Sequence, residues 1–176
     1  MRRTVKITLE KNPRAWYNLS MEKIAKFLKV SESAFKSVGK GEYDDIILPK
    51  RATVGSAGYD FYAPFAFTLS PKETITVATG VRVKIKEGWV LQIFPRSGLG
   101  FKYRLTLNNT VGIIDSDYFY AENEGHIFIK MTNCGDTALT VEKGKAFAQG
   151  VFIPFGITED DDCNSFRHGG MGSTDK

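Results

Sequence analysis

The fold is indicated most clearly by the stretch VRVKIKEGWVLQIF, residues 81–94. Apolar and polar residues alternate over 81–85, which is the period of a strand with one buried face. A turn-forming Glu-Gly pair follows at 87–88, and a second apolar run occupies 89–94. The stretch therefore predicts two consecutive strands joined by a tight turn.

Similar runs continue along the chain from Ile46 onward. They are separated by residues that favour turns, such as Ser70-Pro71 and Lys143-Gly144. Many short strands at this spacing predict an all-β sandwich or barrel. The predicted strands are 59–63, 66–70, 74–79, 81–86, 89–94, 105–108, 127–132, 137–141 and 147–153.

The N-terminal forty residues have a different pattern. Residues 4–9 alternate like a half-buried strand, whereas apolar residues over 20–37 fall near helical spacing and predict one helix or two short ones. Residues 1–40 contain ten Lys and Arg against three Asp and Glu, while 41–176 contain fourteen against seventeen. This positive excess predicts a solvated helix face, which we favour, or contact with a polyanion.

Composition limits the class of protein further. A length of 176 residues suits one domain with a sizeable core. No apolar run is long enough for a membrane span, and no signal-peptide core follows the basic N-terminus. Cys134 and Cys163 match no metal spacing, and His126 and His168 are too few for a histidine-based metal site. We therefore expect a cytoplasmic protein without a membrane partner.

Five glycine-containing segments carry the polar groups that a triphosphate site needs. Glycine allows close approach of the backbone to a ligand, and the charged and amide side chains beside it bind phosphate oxygens. The segments are AGYDFYA (57–63), PRSGLG (95–100), GIIDSDY (112–118), GKAFAQ (144–149) and RHGGMGST (167–174).

In this order, the five segments resemble those of the trimeric dUTP pyrophosphatase (dUTPase) family. The resemblance covers 46–174 and extends to the strand predicted at 4–9. It implies a distorted jelly-roll β-barrel, a homotrimer, and Mg²⁺-dependent hydrolysis of dUTP to dUMP and pyrophosphate. Such an activity limits uracil incorporation into DNA and supplies dUMP for dTMP synthesis.

The third segment is the implied catalytic centre. Asp115, flanked by isoleucines and a tyrosine, is a candidate general base, and the resemblance implies that it activates the water that attacks the α-phosphorus. The resemblance also implies that Tyr118 packs under the deoxyribose and excludes a 2′-hydroxyl. We expect Asp117 to serve the turn or a subunit contact.

The uracil pocket is expected nearby. The Asn109 amide offers a donor and an acceptor, which match the edge of uracil. By resemblance, this segment forms a β-hairpin pocket that includes Ile113, Ile114 and Asp115. Phe128 either closes this pocket or is an ordinary core residue.

The remaining segments are expected to contact the phosphates and the metal. The resemblance implies phosphate contacts for Arg96, Ser97, Gly98 and Gln149. It places Asp60 near Mg²⁺, and we expect this contact to run through water because Mg²⁺ keeps several waters.

The C-terminal stretch 156–176 is expected to be a flexible arm that closes over bound nucleotide. Arg167 begins its glycine-rich segment and is implied to bind phosphate, and Met171 stands where the family usually has an aromatic residue that stacks on the base. Methionine can still cover an aromatic face through its thioether, so we expect weaker closure. The other arm residues implied to bind substrate are Gly172, Ser173 and Thr174.

Two insertions distinguish the chain from the family pattern. Residues 120–124 separate Phe119 from Gly125, and we interpret them as an insertion at a hairpin tip. Residues 12–45 are interpreted as a helical insertion, within which 24–35 resemble the core of a helix-turn-helix. We favour an amphipathic insertion packed on the β-domain over a DNA-reading role.

Two other functions remain open on sequence alone. One is a dCTP deaminase-like enzyme, against which Tyr118 and the fourth and fifth segments argue. The other is a nucleotide-responsive regulator in which the basic insertion 12–45 binds nucleic acid or protein.

Overall fold

The chain folds as a set of short antiparallel strands around one apolar core, described here from a computed structural model that covers residues 22–165, 167 and 169. Within these residues there are twelve strands and two α-helices. The strands are β1 (Ala25–Lys29), β2 (Lys50–Arg51), β3 (Tyr59–Tyr62), β4 (Phe67–Leu69), β5 (Thr74–Ala78), β6 (Val81–Ile85), β7 (Trp89–Pro95), β8 (Leu105–Leu107), β9 (Gly112–Ile114), β10 (Phe128–Asn133), β11 (Leu139–Val141) and β12 (Ala146–Pro154). The helices are α1 (Glu32–Val38) and α2 (Ser97–Tyr103), with 3₁₀ turns at Tyr43–Asp45 and Asp117–Tyr120.

The strands pair in four antiparallel groups. The largest sheet has the order β2-β3-β12-β7-β9, and a three-stranded sheet has the order β5-β10-β8. Two further pairs are β1 with β6 and β4 with β11. Alternating burial along β6, where Val81, Val83 and Ile85 point inward, shows how the period-2 sequence pattern builds the core. The all-β jelly-roll prediction is confirmed.

Each of the nine predicted strands overlaps an observed one. The structure adds β1, β2 and β9. β2 and β9 have only two and three residues, and the apolar residues of β1 follow helical spacing. The strand predicted at 4–9 lies outside the described residues.

The helix predicted over 20–37 is wrong for its first half. Residues Ala25–Lys29 form β1 and pair with β6 from Ala25↔Ile85 to Lys29↔Val81, so only Glu32–Val38 is helical. The Phe27 ring lies against Phe61 and Phe152, with centroids 5.9 and 5.8 Å apart. Burial of Phe27 on the sheet outweighs the helical spacing of its neighbours. This strand also excludes the helix-turn-helix interpretation of 24–35.

Two predicted hairpins are also wrong. β8 pairs with β10, whereas β9 pairs with β7, so the connection from β8 to β9 crosses between sheets. β9 and β10 likewise belong to different sheets, so 120–124 do not lie at a hairpin tip. Gly112 explains part of this arrangement, because a Cβ there would lie 3.1 Å from Cβ of Ile93 on β7.

Candidate active site

The GIIDSDY segment leaves the large sheet at one edge. β9 ends at Ile114, and a 3₁₀ turn begins at Asp117, so Asp115 lies where the chain bends out of the sheet. A cavity of about 260 Å³ opens at this bend. Its lining brings together six of the predicted site residues with Val111: Asn109, Ile113, Ile114, Asp115, Tyr118 and Arg167.

Arg167 joins the two carboxylates of this segment. Its Nη2 donates to Oδ2 of Asp115 at 2.8 Å, and its Nε donates to Oδ1 of Asp117 at 3.0 Å. The Asp115 and Asp117 side chains remain 46% and 50% exposed, whereas Arg167 is 16% exposed. Asp115 therefore stays accessible from the cavity while a cation lies beside it.

Asp117, expected to serve the turn or a subunit contact, begins the 3₁₀ turn and also binds Arg167, a contact that the sequence did not predict. Asp115 and Asp117 are two residues apart across the start of a 3₁₀ turn, and both reach the same guanidinium. The Asp-Ser-Asp spacing was a signal for a shared cation, but the partner, Arg167, is fifty residues away in sequence.

Tyr118 is a buried residue that lines this cavity. Its side chain is only 4% exposed, and the Arg167 guanidinium carbon lies 5.7 Å from the ring centroid. The hydroxyl donates to the backbone oxygen of His126 at 2.8 Å. Burial raises the pKa of Tyr118 above 10, although the Asn123 hydrogen bond and Arg167 act in the opposite direction. The phenol therefore stays protonated at neutral pH and keeps this hydrogen bond.

A second cavity of about 450 Å³ adjoins the first and shares Asn109, Ile113 and Ile114 with it. Ile113 is 51% exposed, which is unusual for an isoleucine on a strand and places an apolar surface where a base can stack. Phe128 on β10 also lines this cavity, although its ring lies 4.5 Å from that of His126. Phe128 therefore lies both at the cavity and at the edge of the core.

The first, second and fourth segments form another group of polar side chains. Asp60 on β3 is directly opposite Gln149 on β12, and Nη2 of Arg96 lies 3.4 Å from Oδ2 of Asp60. Gln149 donates to the backbone oxygen of Pro95 at 3.2 Å. Ser97 and Gly98 begin α2 and are exposed. Arg96 and the first turn of α2 thus face solvent beside Asp60.

The two groups lie apart within one chain. β3 and β9 are separated in the large sheet by β12 and β7, which corresponds to three strand spacings, or about 14 Å. Among the described residues, no hydrogen bond or ion pair joins the Asp60 group to the Asp115 group.

Four predicted substrate-binding residues lie outside the described residues: Met171, Gly172, Ser173 and Thr174. Within the described part of the chain, no group of three His, Cys, Asp or Glu side chains is arranged to hold a metal ion. The Asp60 carboxylate, 15% exposed and paired with Arg96, suits a contact to a hydrated ion better than direct ligation.

Comparison with known proteins decides the family. The dUTPase family model matches residues 44–174, which is most of the chain. The chain belongs to the dUTPase family. This confirms the dUTPase interpretation of the five segments and, with it, the prediction of a dUTP-hydrolysing enzyme.

Individual relatives agree with the family match. The deoxyuridine 5'-triphosphate nucleotidohydrolase of Lactococcus lactis is 40% identical over 143 residues, which are 80% of this chain and 95% of the relative. The enzyme of the same name from Escherichia coli O9:H4 is 38% identical over 133 residues, covering 71% and 85%. The crystal structure of dUTPase from Streptococcus mutans superposes with a TM-score of 0.62 at 36% identity, covering 76% of this chain and 98% of the other.

The family match begins at residue 44, so residues 22–43, with β1 and α1, lie outside it. None of the helices in the described part of the chain is long and apolar enough to cross a membrane. The cytoplasmic location expected from the sequence stays a prediction.

Proposed function

We propose that the chain hydrolyses dUTP to dUMP and pyrophosphate, with Asp115 as the general base. The carboxylate accepts a proton from a water molecule while the water oxygen attacks the α-phosphorus. The bond from this phosphorus to the α–β bridging oxygen breaks, and pyrophosphate leaves. The observation that carries the proposal is the cavity in which Asp115, Tyr118 and Asn109 meet, with the Asp115 carboxylate still accessible.

Selectivity for the deoxyribose and the base follows from the walls of the two cavities. We assign the Tyr118 ring, which is buried and immobilised by its hydroxyl, as the surface under the sugar that leaves no room for a 2′-hydroxyl. Asn109, Ile113 and Ile114 lie between the two cavities, where a pyrimidine would be held. Cytosine would leave polar groups of this pocket unpaired, which costs about 1–3 kcal/mol.

Arg167 has two partners in this scheme. Arg167 pairs with Asp115 and Asp117, and a triphosphate, with several negative charges and phosphate oxygens that accept bidentate hydrogen bonds, would compete with them for its guanidinium. When Arg167 turns to the phosphates, Asp115 loses its cation and becomes free to accept a proton.

The phosphate chain is assigned to the second group of residues. Arg96 and the start of α2 present a guanidinium, a serine hydroxyl and backbone N–H groups to solvent, and Gln149 adds an amide. Mg²⁺ bound with the nucleotide would neutralise part of the triphosphate charge, and Asp60 would hold it through water.

A complete site requires both groups, and their separation within one chain supports a site shared between subunits. Among the described residues, the Asp115 side supplies an accessible carboxylate but only one cation, whereas the Arg96 side supplies phosphate ligands and its carboxylate, Asp60, is mostly buried. We therefore propose a homotrimer in which neighbouring copies complete each other's sites.

The test is pyrophosphate release from dUTP, UTP, dCTP and dTTP in the presence of Mg²⁺. We expect release from dUTP alone, and a loss of at least about 100-fold in Asp115→Asn because a general base typically contributes that much. Asp136→Asn is the matched control, since Asp136 is exposed in a bend and its side chain forms no hydrogen bond or ion pair among the described residues. Full activity in Asp115→Asn would contradict the assignment of the base, and ammonia release from dCTP would support a deaminase instead.

A further inference from the structure

The residues that connect Tyr118 to β10 are held in place more firmly than an insertion at the protein surface requires. We call residues 119–126 the support loop. It contains the insertion 120–124, and it contacts α1, which lies outside the part of the chain matched by the family model. Neither the loop nor the helix has a role in the reaction described above.

The support loop binds the hydroxyl of Tyr118 from two sides. Nδ2 of Asn123 donates to this hydroxyl at 2.8 Å, and the hydroxyl donates to the backbone oxygen of His126 at 2.8 Å. The far end of the ring is therefore fixed by two hydrogen bonds of opposite direction. A buried ring held in this way resists both tilting and outward displacement.

The backbone conformation of the loop places Asn123 at the Tyr118 hydroxyl. Glu124 and Gly125 both have left-handed backbones, with φ of 60° and 68°. Oδ1 of Asn123 accepts a hydrogen bond from the Gly125 N–H at 3.1 Å. A Cβ at Gly125 would lie 2.7 Å from the backbone oxygen of Tyr118, so the loop packs directly against the residue that it supports.

Glu124 ties the loop to α1. Its carboxylate accepts hydrogen bonds from the backbone N–H of Ser31 at 2.8 Å and from the Ser31 hydroxyl at 2.6 Å. Ser31 is the N-cap of α1, and Phe35 in the same helix is fully buried. The helix is thereby anchored in the core at one point and joined to the loop at another.

Arg82 on β6 ties the start of the loop to the β-framework. Its Nη2 donates to the backbone oxygen of Phe119 at 2.6 Å, and its guanidinium carbon lies 3.8 Å from the centre of the Phe119 ring. Nη1 of Arg82 is also 3.8 Å from Glu124. The loop is therefore held by β6 at Phe119, directly before the insertion, and by α1 at Glu124, the last residue of the insertion.

We propose that the support loop and α1 hold Tyr118 rigid against a ribose 2′-hydroxyl, so that Asn123 and Glu124 are positioning residues for sugar discrimination. The proposal rests on the proposed function, in which Tyr118 is the surface under the sugar. The Tyr118 ring can exclude a 2′-hydroxyl by steric clash only if the ring does not move. A displacement of a fraction of an ångström would relieve the overlap between the ring and the hydroxyl. Asn123 acts on the ring directly, and Glu124 acts through the loop backbone.

The experiment measures kcat/KM for dUTP and for UTP and compares their ratio between variants. We expect Asn123→Ala and Glu124→Ala each to lower the dUTP/UTP ratio about two- to tenfold, the equivalent of one lost hydrogen bond. The change should come mainly from faster UTP hydrolysis. Glu122→Ala is the matched control, because Glu122 lies in the same insertion, is exposed and its side chain forms no hydrogen bond or ion pair among the described residues.

A double-mutant cycle separates this role from a general effect on folding. Tyr118→Phe removes the hydroxyl but keeps the ring, so Asn123→Ala should change the ratio little further in that background. Thermal unfolding of each variant is measured in parallel. A lower Tm with an unchanged ratio in both Asn123→Ala and Glu124→Ala would overturn the inference and leave the loop a purely structural role.

Wild-type behaviour distinguishes failure of this inference from failure of the proposed function. A wild-type protein that releases no pyrophosphate from dUTP contradicts both. One that hydrolyses dUTP and UTP equally keeps the hydrolase but contradicts the sugar-excluding role of Tyr118, and the inference fails with it. Strong discrimination that survives loss of Asn123 and Glu124 contradicts the inference alone.

Discussion

His126 shows how a single residue adjacent to the site depends on its surroundings. It is 1% exposed, and its Nε2 accepts a hydrogen bond from the Gly80 N–H at 2.8 Å. Burial lowers the pKa of His126 from 6.5 to about 4, although the nearby Glu124 carboxylate acts in the opposite direction. The folded protein therefore holds a neutral imidazole at neutral pH, with a lone pair directed at Gly80.

This shift predicts a specific loss of stability in mild acid. The unfolded chain takes up a proton on His126 below pH 6.5, whereas the folded chain does so only near pH 4, so stability present above 6.5 is lost as pH falls between these values. We expect the free energy of unfolding to fall by about 2 kcal/mol from pH 7.5 to pH 5 through this residue. Urea denaturation at the two pH values measures it.

His126→Gln tests the assignment, because glutamine keeps a hydrogen-bond acceptor but does not titrate. The pH-dependent loss should shrink by most of this amount in the variant, while His168 remains in both proteins. The lowered pKa of Glu124, caused mainly by the Ser31 hydroxyl, places its own contribution below pH 4.5 and outside this window. An identical pH profile in the variant would mean that His126 is already accessible to solvent.

For single residues, the sequence predicted the candidate site best where several of its residues are neighbours in the chain. GIIDSDY placed Asp115 and Tyr118 together, and the structure lines one cavity with both. Asn123 was not predicted, because its contact with the Tyr118 hydroxyl depends on left-handed backbones at Glu124 and Gly125. Glycine signals such a conformation, but glutamate does not.

Among the elements, β1 and α1 show where periodicity misleads. Apolar residues over 20–37 fit a helix, yet the first part pairs with β6 because Phe27 can then pack on the aromatic side chains of the large sheet. Only Glu32–Val38 is helical, with Ser31 as its N-cap at 3.1 Å from the Ala34 N–H. Seven residues are too few for a helix that is stable by itself, so α1 depends on tertiary contacts.

Phe35 is the contact on which α1 depends most. Its side chain is 0% exposed and lies against Tyr43 and His126, with ring centroids 6.3 and 6.4 Å away. We expect Phe35→Ala to lower the free energy of unfolding by about 3–5 kcal/mol, as for other buried phenylalanines. Urea denaturation at neutral pH gives this value.

Val38→Ala is the control in the same helix, since Val38 is 55% exposed. A surface change of this kind should stay within about 0.5 kcal/mol of the wild type. Equal effects of Phe35→Ala and Val38→Ala would mean that α1 is only loosely attached. The support loop would then have no firm partner at Ser31.

At the scale of the whole molecule, strand order limited what could be predicted. The nine predicted strands are present, but periodicity within a strand carries no information about its neighbour. The hairpin expected around Asn109 does not form, because β8 pairs with β10 and β9 pairs with β7. The same limit applies to the site. The sequence suggested five segments around one nucleotide, whereas a single chain places Asp60 and Asp115 about three strand spacings apart.

The distance between the Asp60 group and the Asp115 group within one chain leads to a prediction about mixed oligomers. Light scattering should first give three times the 19.6 kDa mass of one chain. Asp115→Asn removes the base from the Asp115 group, and Arg96→Ala removes a phosphate ligand from the Asp60 group. Each variant alone should be nearly inactive. If each site takes Asp115 from one subunit and Arg96 from another, oligomers co-refolded from equal amounts of the two variants contain intact sites. Random assembly should restore about a quarter of wild-type pyrophosphate release.

The recovery distinguishes shared sites from sites within one chain. If Asp115 and Arg96 of the same chain acted together, every site in the mixture would carry one defect, and co-refolding would restore nothing. Mixing wild type with Asp115→Asn provides the calibration, since activity should then fall in proportion to the wild-type fraction. A trimer that exchanges subunits in this calibration but recovers no activity from the two defective variants would show that the nucleotide bridges both groups within one subunit.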